Sequence, residues 1–215
     1  MNAPKTLPVL LIALSFALEA SGQTCDEQHP VVCREEGVRY MFGQGVAVDA
    51  DRAATLFDIG CKAGDGPSCL NEGLLAYPMD AKFAVGLIQR GCELGHQPAC
   101  FQWASELEKK TAGIPPDPEA AQRLYQQACD GGVWASCHEL GLIYVEGRDH
   151  AISPLKAAAL FRRACDNHHA ASCTALAALD ANDPNAGSRN TALLGLTLMV
   201  GGAIAYWIKR RGRRN

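Results

Sequence analysis

Apolar and small residues recur three and four apart in four stretches of this chain, in the same order each time. Ala53, Leu56, Phe57 and Gly60 are followed by Ala84, Leu87, Ile88 and Gly91, then by Ala121, Leu124, Tyr125 and Ala128, then by Ala157, Leu160, Phe161 and Ala164. Those offsets lie on one face of a helix, so each stretch predicts a helix with one buried side. Between them run further apolar stretches with a small residue at one fixed place: Gly37, Gly73, Ala104, Gly141 and Ala177. Small residues let helices approach closely, which predicts that these form the contact between the two helices of a hairpin. Helix starts are marked at Asp117-Pro118-Glu119 and Ser153-Pro154, where a capping residue precedes a proline at the first helical position. Gly43 to Asp49 reads as a turn-forming connection, which Tyr77 to Asp80 shortens and Ile114-Pro115-Pro116 lengthens.

The same stretches are phased by cysteine. All ten cysteines fall in pairs of the form C-x7-C: Cys25 with Cys33, Cys61 with Cys69, Cys92 with Cys100, Cys129 with Cys137, and Cys165 with Cys173. The first members lie 36, 31, 37 and 36 residues apart, the period of a helical hairpin. A disulfide needs its two Cα atoms about 5 to 6 Å apart, whereas eight residues of unbroken helix separate them by about 12 Å. Each segment must therefore fold back, and the intervening Gly64, Gly66, Pro67, Gly95, Pro98, Gly131 and Gly132, with Pro30 in the first pair, permit it. The expected unit is helix, turn, helix, stapled across the turn. Structural zinc is disfavoured by the spacing, because there is no C-x2-C and no following pair of histidines, and a redox C-x-x-C is absent as well.

The ends of the chain differ from its middle. Met1 to Lys5 is weakly positive, Leu7 to Leu18 is apolar over the length of a signal-peptide core, and Ala20-Ser21-Gly22 supplies small residues for cleavage near Gln23. At the other end Thr191 to Ile208 is wholly apolar or small, covering about 27 Å as a helix, and is followed by a strongly basic tail. Tyr206 and Trp207 stand where an interfacial aromatic belt would, and the basic residues are expected to stay cytoplasmic. A buried core helix and a sorting signal that is later removed are the other readings of this run. The expected organisation is a signal peptide over 1–22, repeats over 23–180, a polar linker over 181–190, a transmembrane helix over 191–208 and a basic tail over 209–215. The repeats would then be periplasmic or at the cell surface, where cysteines oxidise. The mitochondrial intermembrane space also oxidises cysteines, but the N-terminus lacks the arginines of a transit peptide. Thr24 to Asn190 holds 14 basic and 22 acidic residues, a net charge of −8, which argues against nucleic acid as a partner.

The segment Leu56-Phe57-x2-Gly60-Cys61-Lys62-Ala63-Gly64-Asp65-Gly66-x2-Cys69, the Gly43-x-Gly45-Val46-x2-Asp49 connection and Leu140-Gly141-Leu142-Ile143-Tyr144 resemble Sel-one-like repeats, short relatives of the tetratricopeptide repeat. The placement of the cysteines is similar to the disulfide-rich branch of that group, the Helicobacter cysteine-rich protein family. The resemblance covers roughly residues 25 to 180. It implies an all-α fold, an α/α right-handed superhelical solenoid of stapled hairpins with a concave face, and it implies binding of a protein or peptide on that face. It also implies an alternative, since the cysteine-rich relatives are associated with penicillin binding and weak β-lactamase activity. The second repeat is shortened, and the fifth stops after one helix, as a cap would.

Chemistry in the sequence is thin. Ser153-Pro154-Leu155-Lys156 spells the S-x-x-K of penicillin-recognising enzymes, but Lys110-Thr111-Ala112 and Ser188-Arg189-Asn190 do not complete the companion motifs. Ser153 reads instead as a helix cap and Lys156 as a solvated side chain, so catalytic residues stay unassigned. His168-His169, with Asp166 nearby, reads as exposed turn residues, with an adventitious metal site as the other reading, and His29, His96, His138 and His150 show no phased acidic or serine partner. No metal ligand set and no cofactor motif is read. Three residues after the second cysteine stand Glu36, Glu72, Trp103, Leu140 and Leu176, a mixture that predicts a partly exposed position. Trp103 is therefore a candidate anchor for a partner, with packing on the next repeat as the equal alternative, and Trp134 is a weaker candidate. The expectation is a membrane-anchored, extracytoplasmic binding scaffold, with a β-lactam or peptidoglycan-fragment hydrolase as the alternative.

Overall fold

A computed structural model describes residues 24–109, 113–148 and 152–181. Among these residues there are nine helices and no strand: α1 Pro30–Phe42, α2 Ala50–Lys62, α3 Gly66–Ala76, α4 Ala81–Glu93, α5 Gln97–Glu108, α6 Pro118–Asp130, α7 Trp134–Glu146, α8 Pro154–Asp166 and α9 Ala170–Ala181. Each packs mainly on its neighbours in sequence, as the layers of an α-solenoid do. The expected signal peptide, the transmembrane helix and the basic tail lie outside the described residues, as does all but the first residue of the linker. Among the described helices none is long and apolar enough to cross a membrane.

The even-numbered helices start twelve residues before a cysteine. Asp49, Asp80 and Asp117 stand there, and their carboxylates accept from the N–H of Arg52, Phe83 and Ala120 at 2.9, 2.9 and 2.8 Å. Ser153 holds the same place in α8 without a side-chain cap bond. Along these helices the small and aromatic positions read from the sequence are buried: Ala53, Phe57 and Gly60; Ala84, Ile88 and Gly91; Ala121, Tyr125 and Ala128; Ala157, Phe161 and Ala164. The leucine positions lie on the flank of that face, where Leu56, Leu87 and Leu160 are only half-buried.

Four stapled turns are built alike. The N–H of Asp65, His96, Val133 and His169 reaches back to the carbonyl of the residue before the first cysteine, Gly60, Gly91, Ala128 and Ala164, at 2.9 to 3.0 Å. The turn needs one left-handed residue, which is Gly64, Gly95 or Gly132 in three repeats and His168, at φ +66°, in the fourth.

Each C-x7-C pair is joined as a disulfide in the structure. Cys25 is bonded to Cys33, Cys61 to Cys69, Cys92 to Cys100, Cys129 to Cys137 and Cys165 to Cys173, with Cα atoms 4.5 to 4.7 Å apart. Cys33, Cys69, Cys100 and Cys137, each in the first turns of an odd-numbered helix, are fully buried. Cys173 holds the same place in α9 but is only partly buried. Among the described residues no further helix follows α9. The first bridge differs from the expected helix, turn, helix: within the described residues Cys25 lies in a bend leading into α1, and Cys33 alone of the pair is helical.

The small residues four after the second cysteine make the contact between two helices of a pair, and the pair is the one joined by the unstapled connection. An ideal Cβ on Gly37 of α1 would lie 2.6 Å from Phe57 of α2, and one on Gly73 of α3 would lie 2.8 Å from Ile88 of α4. These helices are joined by the longer, unstapled connections. A residue four past the cysteine has turned about 40° beyond it, away from the staple and towards the helix that follows. Close approach across the stapled turn is made by Gly60 and Gly91 instead, which face Ser68 and Ala99. The unstapled connections vary in length yet close identically: the N–H of Asp49, Asp80, Asp117 and Ser153 donates to the carbonyl of Tyr40, Ala76, Leu107 and Tyr144 at 2.9 to 3.0 Å.

Candidate functional site

Odd-numbered helices form one row of the solenoid, with α1 packed along α3 and α3 along α5. Polar side chains tie the row together. Arg34 of α1 pairs with Asp65 before α3 at 2.7 Å, and the hydroxyl of Tyr77 at the end of α3 donates to Glu106 of α5 at 2.7 Å. Glu108 of α5 accepts from the Tyr125 hydroxyl of α6 at 2.8 Å and from Arg148, just past α7, at 2.9 Å. Burial and the adjacent Glu108 carboxylate raise the Tyr125 phenol far above its usual range, so it stays a donor. Glu106 is 1 % exposed and also accepts from Lys109 at 3.2 Å. Much of this row is thus closed by its own hydrogen bonds.

Trp103 lies in this row, on α5, partly buried against the central apolar cluster that includes Ile88, Leu107, Tyr125 and Leu140. Trp134 is partly buried at the start of α7, with the Arg163 guanidinium 5.8 Å from its ring centroid. The position three after the cysteine is not uniformly half-exposed: Leu140 is fully buried and Glu72 is 8 % exposed. Ser153 and Lys156 make no hydrogen bond to each other among the described residues, and the Lys156 ammonium sits 5.0 Å over the ring of Tyr144. The S-x-x-K stretch is the entry to α8, with no paired nucleophile and base. Among the described residues no three metal-ligating His, Cys, Asp or Glu side chains converge.

Exposed apolar side chains gather elsewhere. Phe42, Val48, Met79, Phe83, Ile152 and Leu155 are 55 to 85 % exposed. All six lie at the unstapled connections, at the end of an odd helix, just before an even one or in its first turn. Val48, Met79 and Ile152 occupy the same repeat position, immediately before the capping residue. The stacking of repeats sets these residues along one edge of the solenoid, opposite the edge that carries the disulfides, at three of its four unstapled connections; among the described residues the connection from α5 to α6 adds none. Lining up the unstapled connections on their capping residues would have shown this set in the sequence.

Three polar groups escaped the sequence reading. Glu72 is buried between α2 and α4, where burial first and the nearby Asp58 carboxylate second push its pKa up to about 7, against the opposing pull of Lys62 and Arg90. Its Oε2 has no hydrogen-bond partner among the described residues. His29 does have an acidic partner, Asp26, at 2.8 Å. His138 has a serine partner, Ser172, which lies 34 residues away and so shows no local spacing.

Comparison with known proteins identifies the repeat. A family model described as the Sel1 repeat matches residues 37–65, 97–133 and 134–169. The interval left between the first two matches holds the shortened repeat, whose α3 and α4 fold like the others. The chain is similar to cytochrome c oxidase assembly factor 7 of Xenopus tropicalis, 38 % identical over 72 residues, which cover 31 % of each chain. Among solved structures it is similar to a Sel1 repeat protein from Oxalobacter formigenes, at a TM-score of 0.66 and 22 % identity over 76 % of this chain and 71 % of that one. It is also similar to c5321, a protective antigen of uropathogenic Escherichia coli strains displaying an SLR fold, at a TM-score of 0.65 and 20 % identity over 70 % of this chain and 33 % of that one.

Proposed function

Because the chain carries Sel1 repeats, we propose that it is an extracytoplasmic scaffold whose protein partner docks along the apolar edge of the solenoid. The observation that carries this reading is the set of Phe42, Val48, Met79, Phe83, Ile152 and Leu155, which are the most exposed large apolar side chains among the described residues and all lie at the unstapled connections. Five disulfides fit an oxidising compartment. Residues 1–22 serve as its export signal, and residues 191–208 anchor it in the membrane with the basic tail on the cytoplasmic side. The partner class that fits best is another membrane or envelope protein held during assembly. The name of the Xenopus relative, an assembly factor, supports this for the third of its length that the chain spans.

The test is cross-linking of the oxidised full-length protein in its own membrane, followed by direct binding to the partner so identified. Met79→Ser with Leu155→Ser is expected to weaken binding about tenfold or more, with the melting temperature unchanged, because both side chains already face water. Trp103→Ala is expected to cost about 2 kcal/mol of stability, since it removes partly buried ring surface from the core. Loss of binding in Trp103→Ala at unchanged stability, with the edge variant binding normally, would move the site to the odd-helix row.

A further inference from the structure

At the last stapled turn two histidines and a serine converge from different elements. His138 on α7 places Nδ1 3.1 Å from the Ser172 hydroxyl oxygen, and His169, just before α9, places its own Nδ1 2.8 Å from the same oxygen. The two rings are 5.3 Å apart between centroids, and Ser172 is fully buried. The repeat supplies the comparison. The equivalent positions at the other end of the solenoid hold Arg34, Asp65 and Ser68, an ion pair at 2.7 Å with the serine hydroxyl on the same carboxylate at 2.6 Å. In the two repeats between, the equivalents are Leu70, His96 and Ala99, then Phe101, Val133 and Ser136, where Ser136 turns to the carbonyl of Tyr125. The place where successive odd helices interlock is thus filled by an ion pair, by mostly apolar groups or, once, by two imidazoles facing one hydroxyl.

We propose that His138, His169 and Ser172 form a binding site for a divalent transition-metal ion of the zinc class. A tetrahedral ion bound at about 2.0 to 2.1 Å by two imidazoles sets its donor atoms about 3.3 Å apart and the ring centroids about 5 Å apart. Each imidazole nitrogen lies 2.8 or 3.1 Å from the serine oxygen, within about half an ångström of the spacing between neighbouring donors of such an ion, and the rings lie 5.3 Å apart. Both imidazoles would present Nδ1 lone pairs with the proton on Nε2, and the serine oxygen would be the third donor. The N-terminal dipole of α9 opposes a cation here, by up to about thirtyfold in affinity. All ten cysteines are in disulfides, so thiolates do not compete for the ion. With two imidazoles and a hydroxyl the affinity is expected to be roughly micromolar, and binding would pin α9 to α7.

The experiment is titration of the oxidised full-length protein with Zn2+ against a chromophoric chelator, with Co2+ absorption as a second readout. One equivalent per chain is expected, with a tetrahedral Co2+ spectrum. Losing an imidazole ligand should cost more than the roughly 10- to 100-fold typical of losing one of a ligand's supporting partners, so His138→Gln and His169→Gln should each weaken binding beyond about tenfold. His168→Gln should leave it unchanged. Should either variant fail to fold, nitrogen NMR of the parent decides: the imidazole signals of His138 and His169 should shift together at one equivalent. Absence of saturable binding overturns the proposal. So does loss of binding in His168→Gln, or a shift of any other pair of histidines. Stability that responds to acid at this site but not to Zn2+ would make the pair an interlock only, and would also overturn it. None of these outcomes bears on whether a protein docks at the apolar edge.

Discussion

Glu72 carries a cost that the repeat pattern conceals. It sits where Glu36, Trp103 and Leu176 are half-buried, and the mixture of residue types at that position points to partial exposure, yet Glu72 is 8 % exposed with one oxygen lacking a partner among the described residues. Its pKa is pushed up from 4.5 to about 7 by burial and by Asp58. The folded state therefore holds this proton more tightly than the unfolded chain does. The resulting stabilisation is fully present below pH 4.5 and is lost as pH rises towards 7, by about 3 kcal/mol. Glu72→Gln keeps the shape and removes the charge. Its denaturation midpoint should match the parent at pH 4 and exceed it at pH 8, and equal midpoints at pH 8 would show that the burial costs nothing.

At the scale of the element, two kinds of connection alternate. The stapled turn is fixed in length and repeats one hydrogen bond and one left-handed residue four times, so its character could be read from C-x7-C and its glycines. The unstapled connection varies in length but always returns the capping residue's N–H to the same place on the preceding helix, which no local spacing reveals. Close packing lies across these unstapled pairs as well as across the stapled turns, with Gly37 against Phe57 and Gly141 against Phe161. Gly37→Ala would press a methyl group into a fully buried ring. It should destabilise the protein by about 1 to 3 kcal/mol, measured by chemical denaturation, despite raising helix propensity. A neutral or stabilising result would mean that α1 and α2 can separate at no cost.

The whole molecule depends on its bridges more than on one large core. A solenoid repeat touches only its neighbours, so each layer must be held locally. Closing a loop of this size contributes about 2.5 kcal/mol per disulfide in the chain-entropy account, and five together are on the order of a domain's whole net stability. Reduction is therefore expected to abolish most helical circular dichroism at 25 °C and partner binding with it. A reduced protein that kept full helicity would place the stability in packing alone. The polar ties among α3, α5 and α7 through Glu106 and Glu108 fix the relative positions of the layers, and with them the line of the apolar edge.

The sequence by itself determined the helices, their buried faces, their period and the bridges, because each depends on residues within one repeat and on fixed backbone geometry. Helical spacing and the reach of a disulfide leave little choice over eight to twelve residues. Only the tertiary structure decided which helices the small residues bring together, that Glu72 is buried while Trp103 is only partly so, and that His138 and His169 meet over Ser172. Those facts join residues from 15 apart, as Gly73 and Ile88, to 34 apart, as His138 and Ser172, through the packing of helices. Stacking depends on the angle between neighbouring helices, which no spacing along the chain encodes.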